Sequence, residues 1–182
     1  MQIIKTKIPE IVIIEPRVFG DERGYFMETF SDEIFKKKVI NTTFVQDNES
    51  ESTYGVLRGL HYQVPPYAQS KLVRVVVGKV LDVALDIRKG SPTFGKHLIV
   101  ELSAENKRQL FIPRGFAHGF VVLSDKAIFA YKVDNIYDAA SEASIRFDDP
   151  ELNIDWTLKH NELKLSPKDI KAPLFKDAKL FE

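Results

Sequence analysis

Short apolar segments separated by turn residues constrain the fold of this chain more than any other feature. In residues 81–88, four aliphatic side chains alternate with mostly polar ones, which is the period of a β-strand. Further β-branched or alternating runs lie at 11–14, 72–77, 96–102, 120–123 and 127–133. Many short strands at short spacing favour a sandwich or barrel over alternating β and α units. We therefore expect an all-β fold.

Helix signals are few and local. Ser31 precedes two acidic residues, and lysines follow at 36–38, an arrangement that predicts a short capped helix. Ser166, followed by a proline, predicts a second helix start, which Pro173 would end early. No repeat or linker divides residues 1–182, which we predict to form a single domain.

Charge and cysteine content exclude several classes of function. The chain has 26 Lys+Arg and 26 Asp+Glu, so its zero net charge argues against broad attachment to nucleic acid or an anionic membrane. It has no cysteine, which excludes disulfides, thiolate metal sites and a cysteine nucleophile. The first residues lack the apolar core of a secretory signal, and no apolar run approaches the roughly 18 residues of a membrane span. We expect a cytoplasmic protein with neither a nucleic-acid nor a membrane partner.

The densest group of polar side chains lies at 58–63 and continues with Lys71 and Arg74. Within it, His61 is the side chain best suited to exchange protons near neutral pH, although a structural strand histidine would look the same. His118 lies between glycines and aromatic residues, a setting that favours a turn histidine bonded to backbone.

The histidine pattern predicts no metal site. The chain has four histidines, which are His61, His97, His118 and His160. They form neither an H-x-H pair nor an H-E-x-x-H motif, and no acidic residue stands beside His61 or His118 at a ligand-like spacing. We expect neither a metal nor another cofactor.

Other polar residues have two interpretations when they are taken singly. Tyr131 is either a core aromatic or a general acid that points into a cavity. Asp169 stands where a capping-box acid belongs, and residues 46–48 have the composition of a turn. Glu142 and Lys168 have the composition of surface charges. Single residues therefore indicate no function.

Taken together, segments spread along almost the whole chain carry a family resemblance. They are residues 19–24, 44–48, 56–63, 71–75, 82–88, 91–95, 102–110, 112–120, 131–132 and 165–169. In these segments the chain resembles the dTDP-4-dehydrorhamnose 3,5-epimerase family. The resemblance implies a cupin-like jelly-roll β-sandwich or barrel with a few short peripheral helices, which works as a homodimer without a metal. It implies the substrate dTDP-4-dehydro-6-deoxy-D-glucose, a dTDP-4-keto-6-deoxy-hexose, which is inverted at C3 and C5.

The same resemblance implies the site residues. By similarity, His61 is the base, Asp169 orients it, Tyr131 is the proton donor and Lys71 lies near the C4 oxygen of the substrate. Positions that match the family's substrate-binding residues are Arg23, Glu28, Gln46, Asp47, Asn48, Arg58, Lys71, His118, Glu142 and Lys168, with Tyr137 at the position that stacks on thymine.

The chain departs from the family pattern at a few positions. Glu49 and Glu51 replace a histidine and a basic residue beside the nucleotide site, which implies an altered affinity for diphosphate. His97 stands where tryptophan is common, Thr157 where proline is usual, and Ser70 replaces a small residue before the lysine.

The implied set makes chemical sense for epimerisation beside a ketone. Removing the proton develops negative charge on the ketone oxygen, and a preorganised donor such as Lys71 is typically worth about 3–4 kcal/mol there. Imidazole suits the base, and a carboxylate on its far nitrogen supports the charged form. A phenol, with an ordinary pKa of about 10, keeps its proton until the enolate forms. The guanidinium groups of Arg23 and Arg58 match diphosphate oxygens.

Three alternatives stay open from the sequence. A related enzyme that inverts only C3 or only C5 would need the same base, lysine and tyrosine. A metal-dependent cupin oxygenase would need a ligand cluster that the histidine pattern lacks. A non-catalytic sugar-nucleotide-binding module would not need the base, the acid and the lysine.

Overall fold

The computed structural model describes residues 1–182, and most of its regular structure is strand. The strands are β1 (Gln2–Lys5), β2 (Val12–Glu15), β3 (Val18–Asp21), β4 (Gly24–Met27), β5 (Gln46–Thr53), β6 (Leu57–Gln63), β7 (Lys71–Val77), β8 (Lys79–Asp86), β9 (His97–Ser103), β10 (Gln109–Ile112), β11 (Phe116–Val122), β12 (Lys126–Val133) and β13 (Glu142–Ser144). The helices are α1 (Asp32–Lys38), α2 (Pro167–Ile170) and the 3-10 turns His160–Glu162 and Phe175–Asp177.

Two antiparallel sheets form the sandwich. One has six strands in the order β1-β2-β10-β7-β12-β5, and the other has five in the order β13-β6-β11-β8-β9. Strands β3 and β4 pair only with each other, as a separate hairpin. The all-β, cupin-like sandwich with short peripheral helices is therefore confirmed. None of the helices has the length and apolar character that crossing a membrane requires.

Strand β8 is buried on both faces. Val80 and Ala84 pack in a core cluster between the sheets, whereas Leu81 and Leu85 pack on the opposite side, in a cluster that includes C-terminal residues. The polar face predicted for this strand is thus an interior face. On it, Asp82 and Asp86 have no exposed surface, so each of these carboxylates needs partners inside the protein.

Both predicted helix starts are confirmed. The hydroxyl of Ser31 accepts a hydrogen bond from the backbone N–H of Ile34 at the start of α1. The hydroxyl of Ser166 accepts one from the backbone N–H of Asp169 in α2, at 3.1 Å. The second cap matters for the site, because it fixes the position of the Asp169 side chain.

Candidate active site

A cavity of about 200 Å³ lies between the two sheets. Its lining residues are Glu49, Ser50, Arg58, His61, Lys71, His118, Phe120, Phe129 and Tyr131. They come from β6 and β11 of one sheet and from β5, β7 and β12 of the other. The fold therefore brings together the sequence-predicted base, lysine, tyrosine and one arginine.

Two glycines bring strands β6 and β11 unusually close beside the cavity. Gly59 has a φ of +135°, and a Cβ atom added to it would lie 2.5 Å from the Cα of Gly119. A Cβ atom on Gly119 would lie 2.8 Å from the carbonyl oxygen of Arg58. Both contacts are closer than real side chains allow, so only glycine fits at either position. This close approach sets His61 opposite His118 in the strand register.

The His61 ring is held by a buried carboxylate. Its Nε2 atom lies 2.5 Å from Oδ1 of Asp169, whose Oδ2 accepts a hydrogen bond from the Ser166 hydroxyl at 2.6 Å. Burial of Asp169 favours its protonated form, but the hydrogen bonds from His61 and Ser166 outweigh it and hold the pKa of this carboxyl below its ordinary value. Asp169 thus donates its backbone N–H to the Ser166 cap of α2 and binds His61 through its side chain, while Nδ1 of His61 makes no hydrogen bond within the chain.

Lys71 lies at the start of β7 and reaches towards β6. Its Nζ atom donates a hydrogen bond to the backbone carbonyl of His61 at 3.4 Å. Burial of the ammonium group lowers the pKa of Lys71 to about 8, although the nearby carboxylates of Asp82 and Glu142 act in the opposite direction. The lysine is therefore mostly charged at pH 7, in a place where water screens its charge poorly.

Tyr131 comes from the sheet opposite to His61. Strand alternation sets its ring on the same face as Phe129, and the two ring centroids are 6.2 Å apart. Its hydroxyl makes no hydrogen bond within the chain. Burial raises the pKa of this phenol, while the positive charge of Arg58 opposes the rise. Tyr131 therefore keeps its proton at neutral pH.

His118 is a buried strand residue, so its interpretation as a turn residue is wrong. It lies in β11, and its Nε2 atom is 2.9 and 3.1 Å from the two carboxylate oxygens of Asp82. Burial lowers the pKa of His118, and Asp82 only partly offsets the shift. Asp82 was not predicted as a site residue, although a carboxylate at an interior position of an otherwise apolar strand was a signal for it.

Glu142, Lys168 and Tyr137 form one polar group on the rim of the site. The Tyr137 hydroxyl donates to Oε2 of Glu142 at 3.1 Å, and the Lys168 ammonium forms an ion pair with Oε1. Burial opposes ionisation of Glu142, but the bonds from Lys168 and Tyr137 hold its pKa below the ordinary value. The charge of His61 contributes to the same shift, which indicates that this group lies near the base.

Residues 46–48 form the start of strand β5, so their interpretation as a turn is wrong. The amide of Gln46 donates a hydrogen bond to the side-chain oxygen of Asn48 at 2.8 Å, and Asn48 lies opposite Tyr131 in the register. Asp47 alternates to the other face, where Lys132 binds it at 2.8 Å. A second cavity of about 260 Å³, lined in part by Asp47, Asn48, Tyr131 and Lys132, adjoins this strand.

Two predicted binding residues lie outside the central cavity. Arg23 is at the turn of the β3–β4 hairpin, forms an ion pair with Asp21, and has 85% of its side chain exposed. Glu28 follows β4 and is also exposed. Within one chain, neither Arg23 nor Glu28 lines the cavity around His61.

Two of the departures from the family pattern lie near this region. Glu49 is exposed and contributes to the lining of both cavities, and alternation along β5 sets its side chain on the same face as that of Asp47. Glu51 is exposed and lies 3.6 Å from the ammonium of Lys126. No group of three or more His, Asp or Glu side chains is arranged to hold a metal ion.

Comparisons with known proteins identify close relatives along the whole chain. The model of the family described as dTDP-4-dehydrorhamnose 3,5-epimerase matches residues 5–177. The dTDP-4-dehydrorhamnose 3,5-epimerase of Shigella flexneri is 60% identical over 182 residues, which cover 100% of this chain and 99% of that protein.

Solved structures agree with this assignment. The dTDP-6-deoxy-D-glucose-3,5-epimerase of Legionella pneumophila, in complex with dTDP-4-keto-L-rhamnose, has a TM-score of 0.94 and 54% identity, covering 97% of this chain and 93% of that one. A 3′-monoepimerase from Streptomyces bikiniensis, in complex with dTDP-quinovose, has a TM-score of 0.88 and 35% identity, covering 95% of this chain and 87% of that one.

Proposed function

Because the chain belongs to the dTDP-4-dehydrorhamnose 3,5-epimerase family and is thus an isomerase, we propose that it converts dTDP-4-dehydro-6-deoxy-D-glucose to dTDP-4-dehydro-L-rhamnose, in dTDP-L-rhamnose biosynthesis. The observation that carries this proposal is the meeting of His61, Lys71 and Tyr131 around one cavity between the sheets. An imidazole, an ammonium and a phenol are the three groups that inversion beside a ketone requires.

His61 removes the proton. Its Nδ1 atom has no partner within the chain, and 31% of its side chain is exposed, so a ligand in the cavity can reach it. Asp169 holds the other nitrogen and stabilises the imidazolium that forms when the proton is taken. Among side chains, imidazole is the one best suited to accept a proton near neutral pH.

Lys71 stabilises the enolate. When the C–H bond breaks, its electron pair moves towards the C4 oxygen, and the Lys71 ammonium offers a charge-assisted hydrogen bond there. C3 and C5 both flank C4, so one ammonium group serves both inversions. The enolate collapses when a proton returns to carbon, and the C4 carbonyl re-forms.

Tyr131 returns the proton from the other side. Its strand belongs to the six-stranded sheet, whereas His61 belongs to the five-stranded sheet, so the two groups approach a sugar ring from opposite faces. Delivery from the face opposite to removal is what inverts the carbon. After each inversion the Tyr131 phenolate takes a proton from solvent and the His61 imidazolium gives its proton to solvent, which resets both groups for the second carbon.

A homodimer explains the placement of Arg23 and Glu28. The hairpin that carries Arg23 exposes three large aromatic side chains, Phe19, Tyr25 and Phe26, at 50%, 58% and 70%. Such a patch is typical of a protein–protein contact. A second copy of the chain would cover it and would supply Arg23 and Glu28 to the nucleotide side of the neighbouring cavity.

Deuterium exchange tests the function and separates its alternative. The purified protein is incubated with the dTDP-4-keto sugar in D₂O, and exchange at C3 and C5 is followed by NMR. Deuterium at both carbons, with L-lyxo product, supports the proposal. Exchange at C3 alone would instead favour a single inversion, an alternative that the similarity to the Streptomyces bikiniensis 3′-monoepimerase supports. Absence of exchange at both carbons would refute both functions.

A further inference from the structure

Asp82 is a carboxylate with no exposed surface and a single side-chain partner. It lies on the interior face of β8, opposite Phe120 of β11 in the register. Both of its oxygens lie within hydrogen-bond distance of Nε2 of His118, at 2.9 and 3.1 Å. A buried carboxylate costs free energy unless its partners compensate, so a carboxylate that bonds only one ring must serve that ring.

We propose that Asp82 is a positioning residue, which fixes the Nε2–H tautomer of His118 and so presents its Nδ1 atom as an acceptor for a hydroxyl of the bound sugar. This inference rests on the proposed function for the identity of the ligand. The state of the His118 ring itself can be measured without any substrate.

The hydrogen bonds of His118 indicate which of its two ring nitrogens is the acceptor. A carboxylate has no proton to give, so Nε2 must be the protonated nitrogen when the ring is neutral. No buried side-chain nitrogen or oxygen lacks a partner in this protein, and Nδ1 of His118 makes no hydrogen bond within the chain. Nδ1 must therefore reach the cavity that His118 lines.

The charges around His118 favour its neutral form. Lys71 and His61 both face it, and their positive charges lower the pKa of His118 in the same direction as burial does. Asp82 is the one carboxylate that raises the pKa of His118, whereas the carboxylate of Glu142 acts on the pKa of Lys71. A neutral His118 ring accepts a hydrogen bond at Nδ1, so Lys71 is the group that donates a hydrogen bond to the ketone oxygen.

His61 and Asp169 form a similar pair, but the two histidines differ in solvent exposure. Asp169 also binds a ring through Nε2, but 31% of the His61 side chain is exposed, against 8% for His118. His61 is therefore the more accessible of the two rings, whereas His118 reaches the cavity only with a small part of its surface. Two similar His–Asp pairs thus have different roles, one in proton transfer and one in holding the sugar.

The experiment reads the His118 tautomer directly. Two-bond ¹H–¹⁵N spectra of the ligand-free protein between pH 6 and 8 should show His118 protonated at Nε2 and bare at Nδ1. The chain has only four histidines, so single substitutions of His61, His97 and His160 assign three signals and leave the fourth to His118. A native protein with a proton on Nδ1 of His118 would overturn the proposal, and the histidine variants serve only to assign the signals.

A substitution tests the link to turnover. Asparagine at position 82 can present its N–H in place of an oxygen, so Asp82→Asn should give a mixture of His118 tautomers. We expect kcat/KM for the keto sugar to fall tenfold or more, with dTDP binding within twofold of native. Native kcat/KM in Asp82→Asn would overturn the proposal.

Asp86→Asn is the matched control. Asp86 lies on the same strand and has no exposed surface, but it binds Arg88, Ser91 and Thr93 rather than a cavity residue. This variant should lose stability while the folded protein keeps the native His118 tautomer and turnover. An equal loss of turnover in both variants would reduce Asp82 to a structural role. If the native protein showed no epimerisation at all, the proposed function would fail while the tautomer result still stood on its own.

Discussion

His61 and His118 lie opposite each other on neighbouring strands, and each ring binds a carboxylate through Nε2. The glycines at 59 and 119 make this pairing close, because any side chain there would separate the two strands. The cavity therefore has two oriented imidazoles on one wall and the Tyr131 phenol on the other. Each of these side chains can therefore be substituted singly to measure its contribution to turnover.

Substitution of His61 should remove the base and leave the nucleotide site in place. General-base catalysis is worth roughly 10²–10⁴-fold, so His61→Asn should lower kcat by at least about 10²-fold. Binding of dTDP, measured by calorimetry, should stay within a factor of about three, because His61 meets the sugar rather than the nucleotide. Asp169→Asn should also lower kcat strongly, because an amide can present its N–H to Nε2 and so hold the wrong tautomer of the ring.

His97→Asn is the control for that series. His97 is in β9 and is not among the residues that line the cavity, so this variant should keep native turnover. Retained epimerisation in His61→Asn, measured with the same preparation, would remove His61 from the mechanism.

The ammonium of Lys71 should set the alkaline limit of activity. Burial lowers its pKa to about 8, so the group loses its positive charge as the pH rises through that value. We expect kcat/KM to fall above about pH 8, whereas a solvated lysine would stay charged to about pH 10. Lys71→Met should lower kcat by about 10²-fold or more at pH 7, the usual cost of losing one such donor.

Lys79→Met provides the comparison for Lys71→Met. Lys79 lies at the surface near Glu101, at 3.6 Å, and its loss should alter neither kcat nor the pH profile. A native profile that stays flat to pH 10 would exclude Lys71 as the group that stabilises the enolate.

Loss of the Tyr131 hydroxyl should separate proton removal from proton return. Tyr131→Phe keeps the ring beside Phe129 and removes only the acid. Exchange of substrate protons with D₂O should then continue through His61, while formation of inverted product should fall by about 10²-fold or more. Equal losses of exchange and of product would contradict the assignment of Tyr131 as proton donor.

Local features of the fold were predictable from the sequence, whereas contacts between distant segments were not. Ser31 and Ser166 cap helices because their hydroxyls bond backbone N–H groups within the same turn. Residues 46–48 have turn composition, yet pairing of β5 with β12 makes them a strand, because sheet context overrides weak local propensity.

The site itself depends on long-range pairing. His61 and Asp169 are 108 residues apart, and His118 and Asp82 are 36 apart. Spacing along the chain cannot reveal either pair, so the pairing of His61 with Asp169 was predicted only through the family resemblance. Asp82 was missed because a carboxylate in an alternating strand normally indicates a solvent-facing side. Both faces of β8 are covered here, and that cover comes from elements far away in sequence.

Subunit complementation should test whether a second copy supplies Arg23. Arg23→Ala and His61→Asn should each have low activity, because one loses diphosphate binding and the other loses the base. If the hairpin of one subunit serves the cavity of the other, each mixed dimer has one site with both native residues. Random exchange of subunits should then restore about a quarter of native activity, since half of the dimers are mixed and each has one intact site of two.

The mixing experiment has a clear negative outcome. No recovery of activity after unfolding and refolding the two variants together would place Arg23 and His61 in the same subunit or in no common site. Sedimentation of the native protein as a monomer would exclude the shared site directly. As a control, two different preparations of His61→Asn should give no recovery on mixing.

Asp86 should account for part of the stability lost at acid pH. Burial opposes its ionisation, but hydrogen bonds from Arg88, Ser91 and Thr93 hold its pKa at about 2, against an ordinary value of 3.8. A carboxyl with a lowered folded-state pKa stabilises the protein above its unfolded-state pKa, and this contribution disappears as the pH falls from about 4 to about 2. The shift corresponds to about 2 kcal/mol, at about 1.4 kcal/mol per pKa unit.

Urea unfolding of native protein and Asp86→Asn at several pH values measures this contribution. The free energy of unfolding should be lower in the variant by about 2 kcal/mol at pH 7, and the difference should shrink steadily below pH 4. Asp21→Asn is the comparison, because Asp21 also bonds an arginine but lies on the exposed hairpin, where solvent weakens the pair. A difference between native protein and Asp86→Asn that stays constant down to pH 2 would show that lost packing, rather than the charge of Asp86, causes the destabilisation.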